Sequence, residues 1–228
     1  MKKTIAIVAA IFAGTAFASA QELSVSTSVA YESQYIFRGV HLADDFIAPA
    51  VDISYGDMYA GIWAALPTDN EYDSEVDFYA GYGFDINDMV SADIGFTYYT
   101  YPDSADGLFD SDVNTFEVYT GLSFEAPLSP SVYVFYDLDL EAFTIESSAG
   151  HSFEVSEQTA IELAGYFGYV DASGGSSYVY FGAGIAYSIS LSENASMSIG
   201  ANWYGADEEI DGDKKNKLTV ASSFSFGF

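Results

Sequence analysis

The feature that most constrains the fold is an alternation of apolar and polar residues along most of the chain after residue 22. In residues 75–84 every even position is apolar or aromatic, and the odd positions hold acidic residues, tyrosine or glycine. The same alternation recurs in residues 132–141 and 218–228. Successive side chains of a β-strand point to opposite faces, so the pattern predicts strands with one apolar and one polar face. No segment beyond residue 20 has convincing helical periodicity, which predicts an all-β protein.

The alternating segments have the length of membrane-crossing strands. Most span about ten residues or more, enough to cross a bilayer at a tilt. We therefore predict an antiparallel transmembrane β-barrel of twelve strands. The predicted strands are 23–38, 46–56, 57–66, 73–84, 89–101, 113–125, 131–144, 150–156, 159–170, 178–190, 195–204 and 217–228.

The predicted connections alternate in length, which is typical of outer-membrane barrels. The even-numbered ones are tight: 56–57, 85–88, 126–130, 157–158 and 191–194. The odd-numbered ones are longer and polar: 39–45, 67–72, 102–112, 171–177 and 205–216. We expect the tight turns and both termini on the periplasmic side, and the longer loops outside.

Both ends of the chain carry features of an exported envelope protein. Lys2 and Lys3 precede a short apolar run that ends in small residues, and this predicts a signal peptide over 1–20 followed by one barrel domain over 21–228. The last strand ends in Phe228, which resembles the signal that targets bacterial outer-membrane proteins for assembly. We therefore expect the bacterial outer membrane as the location and its lipid as a partner. The barrel-assembly machinery and periplasmic chaperones are expected partners during biogenesis.

The composition excludes several classes of protein. Without residues 1–20 the chain holds 34 acidic and four basic residues, a formal charge of −30. This charge argues against nucleic-acid binding and against attraction to anionic membrane surfaces. The chain is half hydrophobic and 17% aromatic, which argues against disorder, and it has no cysteine for disulfides or thiolate metal sites.

The first three predicted strands resemble a known family. The segments Tyr31–Val40 (YESQYIFRGV), Pro49–Asp52 (PAVD) and Tyr59–Ala64 (YAGIWA) are similar to the opening of the TorF family, proteobacterial envelope proteins described as candidate porins. The resemblance covers residues 31–66 and is generic beyond them. It implies an envelope location and a barrel, without an agreed substrate.

Acidic residues occur on the face of the predicted strands opposite to the apolar one. A carboxylate facing lipid is costly, so these side chains are expected to line the lumen. The predicted pore-lining carboxylates are Glu32, Asp52, Glu75, Asp77, Asp93, Glu117, Asp137, Asp139, Glu141, Glu154 and Glu162. A water-filled lumen of this kind would pass small hydrophilic solutes and favour cations. The alternative is a lumen filled by its own aromatic side chains, in a non-conducting barrel that presents acidic loops for adhesion, divalent ions or partners.

Arg38 is the only arginine in the chain. Parity places it on the same face as Glu32 and Gln34, so we expect it to point into the barrel near the outer rim, while Tyr35 and Phe37 face lipid. Two roles follow from its permanently charged, planar guanidinium. It is either a constriction residue that sets selectivity or a counter-charge that holds several lumen carboxylates together.

Cofactors and catalysis are not expected. Asp207, Asp211 and Asp213 belong to an acidic loop that could offer oxygen ligands to calcium, but their spacing does not match a dedicated loop, so solvated acidic residues are the preferred interpretation. His151 and Ser152 are neighbours and would point to opposite faces of a strand. No serine-hydrolase motif is present, so we predict a non-enzymatic protein.

Overall fold

The computed structural model describes residues 23–69, 72–104, 106–107, 109–110, 112–175, 177–207 and 216–228. This part of the chain consists of β-strands and connections, and no helix in it is long and apolar enough to cross a membrane. The strands are β1 (Leu23–Glu32), β2 (Tyr35–Phe37), β3 (Val40–Ala43), β4 (Phe46–Tyr55), β5 (Met58–Pro67), β6 (Glu75–Asn87), β7 (Val90–Thr100), β8 (Thr115–Phe124), β9 (Ser131–Asp137), β10 (Ala142–Glu154), β11 (Thr159–Ala172), β12 (Tyr178–Ser190), β13 (Ala195–Ala206) and β14 (Asn216–Gly227).

Twelve of these strands form one closed antiparallel barrel. Each barrel strand pairs with its neighbours along the chain, and β1 closes the circle by pairing with both β4 and β14. The remaining two strands, β2 and β3, pair only with each other. The predicted twelve-strand antiparallel barrel is confirmed.

The two faces of the barrel wall differ as the alternation predicts. On β4, Ile47, Val51 and Ile53 are exposed on the outer face, whereas Phe46 and Ala48 are buried on the inner one. Exposed Ile, Leu, Val and Phe side chains recur on the outer face of the other barrel strands. A closed barrel with an apolar outer band leaves no unpaired backbone edge to lipid, which is the arrangement a bilayer requires.

The two ends of the barrel carry different connections, and we name them by this difference. At the turn end, where β1 begins and β14 ends, the connections are 56–57, 88–89, 125–130, 155–158 and 191–194. At the loop end they are 33–45, 68–74, 101–114, 138–141, 173–177 and 207–215. The longest connections therefore gather at the loop end.

The predicted first strand is wrong beyond residue 32. β1 ends at Glu32, and residues 33–45, which we call the inner hairpin, turn into the barrel with β2 and β3. Arg38 and Gly39 both have positive φ, which makes a tight turn between the two short strands. Tyr35, which parity had placed against lipid together with Phe37, is only 4% exposed and lies inside the barrel.

The predicted strands 131–144 and 150–156 are also wrong in their bounds. β9 ends at Asp137, and β10 begins at residue 142 after a turn over 138–141. The turn forms because Asp137 Oδ1 accepts the backbone N–H groups of Asp139 (3.0 Å) and Leu140 (2.8 Å), an Asx-type turn. The leucines in this turn continue the apolar alternation and hide it in the sequence.

A shared pattern of tyrosine and glycine sets the close packing of the interior. Each of six tyrosines lies over the glycine directly opposite it on a neighbouring strand, where a Cβ would overlap the ring. The pairs are Tyr59–Gly81, Tyr79–Gly61, Tyr119–Gly95, Tyr133–Gly121, Tyr166–Gly182 and Tyr180–Gly168. Glycines inside strands thus make room for tyrosine rings that lie flat along the wall.

Candidate functional site: the barrel interior

The inner hairpin crosses the lumen from one wall to the other. It leaves the wall at β1 and reaches Glu75 on β6 and Glu117 on β8, which lies five strands from β1 around the circle. On the opposite side, Gly39 sits against Tyr180 of β12 and Ala206 of β13. Contacts with walls on both sides place the hairpin within the barrel and near its loop end.

Arg38 at the tip of the hairpin makes a two-pronged ion pair with Glu117. Nη1 donates to Oε2 at 2.6 Å and Nη2 donates to Oε1 at 2.9 Å. The Glu117 side chain is 1% exposed, and its Oε1 also accepts a hydrogen bond from the Tyr99 hydroxyl at 3.1 Å. The guanidinium carbon lies 4.7 Å and 4.5 Å from the ring centroids of Phe37 and Phe135. Charge, hydrogen bonding and ring faces all hold this cation.

Tyr35 provides a second attachment at the base of the hairpin. Its hydroxyl donates to Glu75 Oε1 at 2.6 Å, and both side chains are buried. Its ring packs against Phe46 and Trp63, with centroids 4.9 Å and 5.6 Å away. Together with Ala43, these side chains form a hydrophobic cluster that fills the part of the lumen next to β4 and β5.

The wall two strands away from Glu117, on β10, also contributes an acidic residue. Tyr180, which is fully buried, donates to Glu146 Oε2 at 2.7 Å. Glu146 was not predicted, because residues 145–149 fall between two predicted strands. In the observed register Glu146 lies opposite Tyr133 of β9, an inward-facing residue, so the hairpin closed at 138–141 places Glu146 on the inner face.

The turn-end half of the interior has a different character. Two of its carboxylates, Asp52 and Asp93, are partly exposed and accept hydrogen bonds from tyrosines across the wall, whereas Glu162 is buried. The Tyr59 hydroxyl donates to both oxygens of Asp93 at 3.0 Å, and that of Tyr133 donates to Asp93 at 3.3 Å. Tyr79 donates to Asp52. No backbone segment crosses this half in the described part of the chain.

Most of the predicted pore-lining residues occupy interior positions. These are Glu32, Asp52, Glu75, Asp77, Asp93, Glu117, Asp137 and Glu162. Glu154 is exposed as the last residue of β10, at the turn end. Asp139 and Glu141 do not line the lumen: they are exposed in the 138–141 turn, where Asp139 accepts the N–H of Phe116.

Arg38 is not the only basic residue that takes an interior position. Lys217 of β14 lies opposite Tyr204, a buried interior residue, near the loop end. Together, Arg38 and Lys217 still face a large excess of interior carboxylates.

The described carboxylates of the loops accept hydrogen bonds from backbone N–H groups. Asp207 Oδ1 accepts the N–H of Val179 at 2.9 Å, while Asp211 and Asp213 lie outside the described residues. Backbone N–H groups donated to Asp103 and Asp110 hold the pKa of both carboxyls below the usual range. Within the described ranges, no three histidine or acidic side chains are placed to bind a metal ion.

The terminal residue Phe228 is exposed at the turn end. Its ring packs against that of Phe226, with centroids 4.8 Å apart, and its N–H donates to the carbonyl of Val25 at 2.9 Å. The assembly role of Phe228 stays a prediction. The signal peptide predicted over residues 1–20 lies outside the described residues.

The described strands define the class of fold as a closed antiparallel barrel of twelve strands with a polar interior, and solved structures of porins share that fold. The KdgM porin aligns with a TM-score of 0.60 at 10% identity, over 89% of this chain and 99% of its own. The NanC porin aligns with a TM-score of 0.57 at 11% identity, over 89% and 98%. The translocator domain of the autotransporter NalP from Neisseria meningitidis aligns with a TM-score of 0.52 at 11% identity, over 90% of this chain and 88% of its own.

A family model then gives the particular relationship. Residues 16–226 match the model of a bacterial protein family of unknown function, Gcw_chp, and the chain belongs to that family. No curated protein matches the chain.

Proposed function

We propose that the protein is a channel of the bacterial outer membrane that passes small hydrophilic solutes and favours cations. The proposal includes export through the predicted signal peptide and membership of the TorF group of candidate porins. The apolar outer band and the fold shared with porins support a membrane location. No catalytic constellation among the described residues suggests an enzyme.

The observation that carries the proposal is the charge of the interior. Carboxylates from most of the barrel strands face the lumen, and Arg38 and Lys217 are the basic side chains at interior positions of the described chain. Inside a low-dielectric wall, such a charge distribution concentrates cations and repels anions. One structure of the KdgM porin is described as a complex with oligogalacturonate, which is a polyanion. A polyanion is a poor fit to the acidic interior of the present barrel.

A second candidate function is favoured by a specific observation. The inner hairpin spans the loop-end half of the lumen, where Phe46, Glu117 and Tyr180 have at most 1% exposure. A hairpin that never moves would close the passage and leave a surface barrel whose acidic loops meet partners or divalent ions.

The two functions are separated by conductance of the purified protein in planar bilayers. The channel proposal expects discrete conductance steps and, in a KCl gradient, a reversal potential of the sign given by a cation-selective pore. The matched control is Glu154→Gln, which removes an exposed charge at the turn-end rim and leaves the interior intact. It should change selectivity little. A preparation that is folded but silent at all voltages would overturn the channel proposal and favour the surface barrel.

A further inference from the structure

We propose that the wall pocket now filled by the Arg38 guanidinium is a binding site for guanidinium-bearing organic cations, which enter the channel by competing with Arg38. This inference rests on the proposed channel function and adds the chemical class of a solute. We call this pocket, formed by Tyr99, Glu117 and Phe135, the guanidinium pocket.

The guanidinium pocket is built by the barrel wall and not by the hairpin. Tyr99, Glu117 and Phe135 belong to the adjacent strands β7, β8 and β9, whose registers fix them near one another. Tyr99 donates its hydroxyl to Glu117 Oε1, so the wall itself holds one carboxylate oxygen, while the Tyr99 ring also packs against Phe37 of the inner hairpin with centroids 6.0 Å apart. A pocket held by three paired strands keeps its shape when the hairpin moves.

The shape of the pocket selects a planar, forked cation. Both Glu117 oxygens accept parallel N–H groups, at 2.6 Å and 2.9 Å, and the Phe135 ring lies 4.5 Å from the guanidinium carbon. A guanidinium satisfies both features at once, because its N–H groups are coplanar and its flat face stacks on rings. An ammonium group is a compact and strongly hydrated charge that makes only one of the two hydrogen bonds well.

The attachment of the inner hairpin allows such an exchange. In the described part of the chain, its backbone is tied to the barrel by hydrogen bonds at its two ends, from Ser33 to Val220 and from Thr68 to Asp45. Between them, β2 and β3 bond only to each other, and the tip is held by side chains. Displacing Arg38 therefore breaks its own hydrogen bonds to Glu117 but none between the strands of the barrel. A free cation must compete with a tethered one, so the working range is on the order of millimolar.

The test is chemical rescue of Arg38→Ala with methylguanidinium. The variant leaves the guanidinium pocket empty, and methylguanidinium should raise its unfolding temperature in detergent with saturation at millimolar concentration. Neutral methylurea, of the same shape, should have no effect, and methylammonium a smaller one. The response should disappear in the double variant Arg38→Ala/Glu117→Gln. Equal stabilisation by methylurea, or a response that survives in the double variant, would overturn the inference.

A second variant and a second measurement keep the two proposals separable. Arg38→Gln retains most of the side-chain volume and is expected to respond like Arg38→Ala, which covers the case in which the alanine variant does not fold. In bilayers, methylguanidinium should reduce the current through either variant with the same millimolar dependence. Thermal rescue without any current would leave the binding site standing and refute the channel. If the protein conducts but methylguanidinium neither stabilises the variants nor reduces their current, the binding site is refuted and the channel proposal stands.

Discussion

The two halves of the barrel interior contain the same kinds of side chains but differ in the burial and the contacts of their carboxylates. In the loop-end half, Glu75 and Glu117 are buried and contact Tyr35 and Arg38 of the inner hairpin. In the turn-end half, Asp93 is partly exposed and accepts hydrogen bonds from Tyr59 and Tyr133 of the wall. The wall is built in the same way in both halves, from alternating strands with tyrosine over glycine. Among the described segments, the inner hairpin is the one that crosses the lumen, so this connection decides how far the loop-end half of an acidic lumen is filled.

The energetics of the two halves differ for the same reason. A buried ion pair is costly to desolvate, and removing one partner leaves an unpaired buried charge. A carboxylate that is partly hydrated loses much less when one hydrogen bond is removed. Removing a charge in the loop-end half should therefore change stability and conductance together, while removing a charge in the turn-end half should mainly change selectivity.

The largest effect is expected for Arg38→Ala. Glu117 would stay buried without its cation, and this should lower the free energy of unfolding by about 3–5 kcal/mol. Conductance and cation preference should both rise, because the hairpin is released and a positive charge is lost. Urea unfolding in detergent and bilayer currents measure the two effects. The control Arg38→Met/Glu117→Leu removes both charges and should recover most of the stability. Unchanged selectivity would mean that Arg38 is purely structural.

A reversible disulfide tests whether the inner hairpin moves. A Cβ at Gly39 would lie 3.4 Å from the Cβ of Ala206, close to the ~3.5–4.5 Å range of disulfides. The chain has no cysteine of its own, so Gly39→Cys/Ala206→Cys can form only the intended bond within a monomer. Oxidation should lower the current several-fold, and reduction should restore it. The single variant Gly39→Cys carries the same strain, both from φ +83 and from a Cβ only 2.9 Å from that of Tyr180, and serves as the control. Equal currents in both redox states would show that conduction needs no movement of the hairpin.

A moderate effect is expected for Gly61→Ala in the turn-end half. The added Cβ would overlap the ring of Tyr79, and moving that ring breaks its hydrogen bond to Asp52. We expect a loss of about 1–2 kcal/mol in the free energy of unfolding, measured by urea titration in detergent. Gly227→Ala is the matched control, because nothing lies within 4 Å of its new Cβ. Equal losses in both variants would mean that the tyrosine contact has no role.

The smallest effect on stability is expected for Asp52→Asn/Asp93→Asn. Asparagine keeps an acceptor for Tyr79 and Tyr59, so the free energy of unfolding should change by less than about 1 kcal/mol. The reversal potential in a KCl gradient should move toward zero, because two partly exposed negative charges of the lumen are lost. If the variant keeps the full cation preference of the wild type, selectivity is set in the loop-end half instead.

The sequence predicted some parts of the interior well and others poorly, for identifiable reasons. Asp77 and Asp93 were placed on the inner face because parity along an uninterrupted strand needs no tertiary information. Asp139 was misplaced because the leucines of the 138–141 turn extend the apolar alternation through a connection. Glu146 was missed as a consequence of the same error. Both errors have the same cause: the Asp137 carboxylate closes the turn by accepting two backbone N–H groups, and the alternation of apolar and polar residues does not reveal this contact.

By itself, the sequence determined the class of fold, the twelve barrel strands and an acidic interior. Each of these follows from a period of two, since a strand with one apolar face must bury or hydrate the other. Only the tertiary structure decided that Tyr35 and Phe37 lie inside the barrel and that Arg38 reaches Glu117 from the tip of a hairpin. Their alternation fits a continued β1 equally well, and the choice depends on Glu75 and Glu117, which are 40 and 79 residues away along the chain. An arginine at a strand end becomes the cation of a buried pocket because distant strands bring its carboxylate to it.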